Sequence, residues 1–100
     1  FVFEDLAQLD DRSVRALLKE ISNDELILSL RTASEDLKDK IFKNVSQRAA
    51  QMIREDMEVM GPVRLKDVES AQLNVIKAAR RLAEEGKIVL GGKGGEDVLV

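Results

Sequence analysis

Few residues of this chain are of a type and spacing that could do chemistry, and the first is GGKGG at residues 91–95. Glycine lets backbone N–H groups crowd an anion, so the segment invites a phosphate-loop reading. A phosphate loop of that kind needs Gly, four spacers, Gly-Lys and then Ser or Thr opening a helix. Here Gly95 is followed by Glu96-Asp97 near the end of the chain, so a flexible terminal loop is the expected structure. Asp10-Asp11 could be paired carboxylates for acid/base work or a divalent site. Adjacent residues rarely converge, and helix capping is the simpler role. The hydroxyls of Ser13, Ser22, Ser29, Thr32, Ser34, Ser46 and Ser70 have no histidine to activate them, and the chain has no cysteine. Catalysis is not expected, and no cofactor or metal is implied.

The remaining candidate is a set of charges on one helix. In SQRAAQMIREDMEVMGPVR, residues 46–64, Ser46 is placed to cap a helix that Gly61, expected in the left-handed conformation, closes and that Pro62 cannot continue. At 100° per residue from Arg48, residues Ala49, Ile53, Met57 and Met60 fall between about 100° and 180°, which predicts the buried stripe. Glu55 lies about 20° from Arg48 on the opposite side, and Asp56 lies near 80° at the border. Arg48 and Glu55 are two turns apart, about 10 Å, too far for an i,i+4 pair to neutralise them. Taken alone, such a face reads first as a solvated surface and only second as a partner contact.

The elements that must hold these charges are helical. The 100 residues are 44% hydrophobic and carry 16 basic and 19 acidic side chains, the composition of one domain with a core and a charged helical surface. A net charge of −3 does not suit a phosphate-neutralising protein, which excludes nucleic-acid binding as the main task. No apolar run reaches the roughly 18–20 residues of a membrane span, and no signal-peptide pattern opens the chain, so a cytosolic setting is expected. Because it begins with Phe1, the chain is expected to be a domain of a longer protein.

Phe1-Val2-Phe3 is expected to form an apolar plug ahead of a short turn through Leu6 and Leu9. Asp10-Asp11 would cap a helix over about 11–21, with Val14, Leu17, Leu18 and Ile21 inward. Ser22 and Glu25 make a capping-box pattern before Leu26, Ile27 and Leu30. Ser34 opens the next helix, with Leu37, Ile41, Phe42 and Val45 inward. A last helix over about 65–85 places Val68, Ala71, Val75, Ala79 and Leu82 on a seam that Gly86 ends. Residues 88–90 and 98–100 could form a short hairpin around the glycines. The expected fold class is all-α, a compact five- to six-helix domain with a flexible Gly-rich C-terminal tail.

SQRAAQMIREDMEVMGPVRLKDVE, with LDDRSVRALLKEIS upstream and ARRLAEEGKIVL downstream, closely resembles the C-terminal domain of the FliG family of flagellar motor switch proteins, over essentially all 100 residues. Phe1-Val2-Phe3 is similar to the end of that family's Met-Phe-X-Phe hinge motif. The resemblance implies a single domain over 1–100: a hinge end at 1–3, a helical core at 4–86 and a tail at 87–100. It implies a rotor component that receives torque from the stator and takes part in switching. By motif position, it implies stator contacts at Arg31, Arg48, Glu55, Asp56 and Arg64, with Gly61 and Pro62 positioning the last. Arg31 stands where the family often has lysine, and Glu55 where it often has aspartate, so charge is kept while reach changes. The implied partners are the cytoplasmic loop of the stator protein MotA and, for a full-length protein, FliM, FliF and neighbouring subunits in a ring. The implied location is the cytoplasmic face of the inner membrane, in the flagellar basal body. The alternative from another class is a helical scaffold resembling the N-terminal domain of magnesium transporters, with Glu55, Asp56 or Glu58 sensing a divalent ion.

Overall fold

Three serines set the helix starts. Ser22, Ser34 and Ser46 are each extended, and each hydroxyl accepts the backbone N–H three residues on, at 3.2, 3.2 and 3.0 Å. These bonds satisfy donors that the first helical turn leaves without partners. The structure, a computed structural model, describes residues 1–90. In chain order it has a 3₁₀ turn Phe3–Gln8, then α1 (Asp11–Leu18), α2 (Asn23–Ser29), a 3₁₀ turn Leu30–Thr32, α3 (Glu35–Phe42), α4 (Gln47–Met60) and α5 (Leu65–Glu84). The all-α expectation holds. The glycine loop at 91–95 and the strand expected at 98–100, hence the hairpin, lie outside the described residues. No helix among the described residues is long and apolar enough to cross a membrane.

The long α5 is the spine. Its five seam residues, Val68, Ala71, Val75, Ala79 and Leu82, are all buried, and α2 lies along it while also touching α4. Leu26, Ile27 and Leu30 fill the space between. On the other side, α3 packs on the first 3₁₀ turn and on α1, with Leu37 wholly enclosed. Ile88 closes the core, and the backbone N–H of Val89 donates to buried Ser13 at 3.4 Å.

α5 ends as expected at Gly86, where φ is +78°. The N–H groups of Gly86 and Lys87 donate to the carbonyls of Ala83 and Leu82, at 3.0 and 2.9 Å, which is the Schellman arrangement. Gly61 differs from expectation. Its φ of +69° is paired with a ψ of −163°, so it is extended backbone of the mirror-image hand, not the left-handed helical cap. Only glycine occupies that region routinely, and it turns the chain away from α4 into Pro62.

The start of the chain also departs from expectation. Phe3 is buried, but Phe1 and Val2 are exposed, so the apolar plug is one phenylalanine. In a 3₁₀ turn, residues three apart share a side, which sends Phe3 and Leu6 inward and leaves the extended residues before it outside. Glu4 adds a link across the fold: its carboxylate accepts from the N–H and hydroxyl of Ser34, tying the turn to the start of α3. α1 stops at Leu18, three residues before expectation, in a turn where Glu20 N–H donates to the Leu17 carbonyl at 2.9 Å. Ile21 still packs on the core from that turn.

Asp10 occupies the cap position of α1, yet its side chain makes no capping bond. Asp11 faces α3 instead, accepting from Asn44 Nδ2 at 3.1 Å and pairing with Lys40 and Lys43 at 3.1 and 3.7 Å. The two acids therefore diverge, which removes the paired-carboxylate reading. Hydrogen bonds from Asn44 and Lys40, with the charges of Lys40 and Lys43, hold the Asp11 carboxyl below its ordinary value of 3.8. A lowered folded-state value stabilises the fold above the ordinary value and is lost as pH falls through the lowered one. The melting-temperature gap between the native protein and Asp11→Asn is therefore expected to be constant above pH about 5 and to close as pH drops below 3.8. A gap that persisted in strong acid would assign the effect to shape instead of charge.

Candidate protein interface on α4

The seat of α4 determines which of its side chains meet water. Ile53 and Ala50 are buried, while Ala49, Met57 and Met60 are half-buried, so the predicted stripe is right in direction and centred slightly toward Ala50. Arg54 braces the helix from the flank, its guanidinium 4.2 Å from the centre of the Phe42 ring, a cation–π contact to the end of α3. A helix held at its apolar side and flank presents its outer charges at fixed spacing.

Arg48 and Glu55 stand exposed on that outer side, as their angles predict. Arg48 has no ion-pair or hydrogen-bond partner among the described residues, while Glu55 accepts only from Gln51 Nε2 on its own helix, at 3.1 Å. Asp56 is half-buried at the border, where a long 3.5 Å bond from Asn23 Nδ2 of α2 steadies it. Beside it, Asp24, Ile27, Leu28 and Met60 complete a shallow groove between α2 and α4.

Arg64 is positioned by its backbone. Its carbonyl accepts from Asp67 and Val68 at 3.0 and 3.1 Å, which makes it the first residue of the α5 ladder, while its side chain makes no capping bond and is exposed. The Gly61-Pro62 turn thus delivers a fixed main chain carrying an exposed guanidinium. Arg31 lies elsewhere, half-buried in the second 3₁₀ turn, which Gln72 of α5 grips through the Ser29 carbonyl and the Thr32 hydroxyl, both at 3.0 Å. Among the described residues, no hydrogen bond or ion pair joins Arg31 to the other four. Nor do three acidic side chains converge among them in a way that could hold a metal ion, so the divalent-ion alternative gains no support from Glu55, Asp56 and Glu58.

Residues 1–90 match the family model described as the FliG C-terminal domain. The chain belongs to that family. As a FliG C-terminal domain, it is 52% identical to the flagellar motor switch protein FliG of Pseudomonas aeruginosa, over 99% of this chain and 29% of that protein. It is also 52% identical to the one from Thermotoga maritima, over 100% of this chain and 30% of that protein. Its fold superposes on the crystal structure of FliG residues 116–343 from H. pylori with a TM-score of 0.86 and 41% identity, covering 88% of this chain and 39% of that one. The chain therefore spans less than a third of the length of these curated relatives. FliG is a family of structural motor-switch proteins and not of enzymes.

Sequence reasoning missed two groups at this site. Gln51 and Asn23 hold the two acids; the first is an i,i+4 neighbour and was legible, whereas the second is 33 residues from Asp56. Met52 and Val59 were missed as exposed residues: they are 53% and 80% accessible on the charged side of the helix. Their angles of about 40° and 20° from Arg48 place them there.

Proposed function

We propose that this FliG C-terminal domain is a torque-receiving and switching module of the flagellar rotor, with Arg48, Glu55, Asp56 and Arg64 as its stator contact and Arg31 as an outlying member. The observation that carries the reading is the outer side of α4, where Arg48 and Glu55 stand exposed, without ion partners among the described residues, on a helix seated by Ile53 and Ala50. A contact that forms and releases as each rotor subunit passes a stator needs weak, reversible terms. Exposed charge pairs of ~0.2–1 kcal/mol each supply them. Mixed signs steer a complementary loop into register within a Debye length of about 8 Å. The partner in this reading is the cytoplasmic loop of MotA; in the full-length protein, FliM, FliF and neighbouring FliG subunits assemble through regions beyond this domain. The site of action is the cytoplasmic face of the inner membrane. Phe1 to Phe3 form the hinge end, with Phe3 anchored in the core and Phe1 and Val2 exposed ahead of it.

Combined reversal of three charges, Arg48→Glu, Glu55→Lys and Arg64→Glu, tests this in the full-length protein. All three side chains are exposed, so melting should shift little. Rotor–stator coupling, read as torque on tethered cells, is expected to fall about tenfold or more. Unchanged torque from the folded variant would overturn the assignment.

A further inference from the structure

The basic charges of α1 collect on one side. Arg12, Arg15 and Lys19 lie within an arc of about 60° at 100° per residue, and all three are exposed. Together with Lys87, just past the end of α5, they line a groove between α1 and that end. Arg15 donates to Asn44 Oδ1 at 3.0 Å, a neutral acceptor that leaves its charge unbalanced. The one acid in the lining, Glu20, is already engaged by Arg81 at 3.0 Å. In a chain of net charge −3, four bases beside one committed acid make a local excess of the opposite sign, which draws an anionic ligand.

The same groove receives the end of the described chain. Gly86 and Lys87 line it, Ile88 is buried, and the Val89 N–H donates to the Ser13 hydroxyl at 3.4 Å, one residue from Arg12. The chain is thus handed on beside the first turn of α1. The next acids in the sequence are Glu96 and Asp97, with Gly91, Gly92, Gly94 and Gly95 before them. Six residues beyond Leu90 reach at most about 20 Å, while Arg12 and Lys19 are about 10 Å apart along α1, so the two acids can span the groove.

We propose that the acidic pair Glu96-Asp97 of this same chain docks in the groove between α1 and α5, its carboxylates against Arg12, Arg15 and Lys19. Exposed ion pairs contribute only ~0.2–1 kcal/mol each, too little to hold a separate acidic peptide. A short tether raises the local concentration of the ligand to the order of millimolar, where such weak pairs suffice. An anionic membrane fits the groove less well. Glu20, Glu84 and Glu85 stand exposed around it, and a plane of headgroups would meet these acids along with the bases, whereas a narrow segment can meet the bases alone. Docked there, the acids form a latch that holds the end of α5 on the short α1 and closes the groove to other anions. None of these residues belongs to the torque contact, so the latch stands or falls independently of that reading.

Carbodiimide joins a carboxylate to an amine only where the two touch, and the groove offers the amines of Lys19 and Lys87. In the full-length protein, peptide mass spectrometry should find Glu96 or Asp97 linked to one of them at about 0.1 M salt, and about fivefold less of the product near 1 M, where the Debye length is about 3 Å. Mixing unlabelled with isotope-labelled protein should show the link within single chains. Arg12→Glu with Arg15→Glu should abolish the link to Lys19 while leaving that amine in place. Adding Glu96→Lys and Asp97→Lys to that variant should restore a link, now from positions 12 and 15 to positions 96 and 97. Glu96→Gln with Asp97→Asn leaves α1 untouched and should speed hydrogen exchange of the Val89 amide about threefold. Absence of any link in the native protein, or unchanged Val89 exchange, would overturn the latch. Links found only between chains would overturn it in favour of a second copy. Binding to phosphatidylglycerol vesicles that is lost with Arg12→Glu and Arg15→Glu, in a protein that shows no link, would overturn it in favour of a membrane surface.

Discussion

Leu37→Ala is expected to lower the unfolding free energy by about 3 kcal/mol, within the usual range for emptying an enclosed leucine site. Leu37 is 0% exposed and belongs to a core shared by α3, α1 and the first 3₁₀ turn. Those elements are short, at 8, 8 and 6 residues, so most of their stability comes from packing and little from their own propensity. Glu4, whose carboxylate holds the start of α3, stands on the same turn and would lose part of its support as the cavity relaxes. For a domain of this size each kcal/mol moves the melting temperature by roughly 4–8 °C, so a fall of about 12–24 °C should appear in far-ultraviolet circular dichroism. Val59→Ala is the contrast. At 80% exposure it should change stability by less than about 0.5 kcal/mol. A Leu37→Ala shift as small as that of Val59→Ala would mean the core does not close where the structure places it.

Gly61→Ala is expected to cost about 1–3 kcal/mol, and the cause is backbone strain alone. A Cβ built at Gly61 meets nothing within 4 Å, which removes collision as an explanation. What remains is φ +69° with ψ −163°, a conformation that L-residues avoid. It is the mirror image of the polyproline II region, so D-alanine should fit it without strain. A chemically synthesised chain with D-Ala at position 61 should therefore melt at or above the native temperature, while the L-Ala chain melts several degrees below it. The strained chain can relax only by re-aiming the segment that carries Arg64, whose backbone starts α5. Gly61→Ala should accordingly reduce rotor–stator coupling with every charge intact. Equal melting of the L- and D-alanine chains would show that the turn does not hold this backbone shape in solution.

Much of this was legible along the chain because the signals are local. Ser22, Ser34 and Ser46 each cap a backbone N–H three residues away, and Gly86 closes α5 through bonds that reach back only a turn. Even here a neighbour can intervene: Glu25, expected to complete a reciprocal capping box with Ser22, instead accepts from Asn74 of α5 at 2.9 Å. Asp10 and Asp11 show the same limit, since a cap and an ion-pair hub have identical sequence signatures until α3 arrives with Lys40 and Asn44.

The sequence by itself determined where α2, α3 and α4 start and where α5 stops, and that Arg48 and Glu55 point away from Ile53, because capping and the 3.6-residue period act within one or two turns. The tertiary structure alone decided how wide a strip of α4 is covered. That width depends on where α2 and α3 lie against it, through Asn23 to Asp56 and Phe42 to Arg54. It left Met52 and Val59 in water and Phe1 and Val2 outside the core. A helix's own period tells which side is apolar, and only its neighbours determine how much of that side is used.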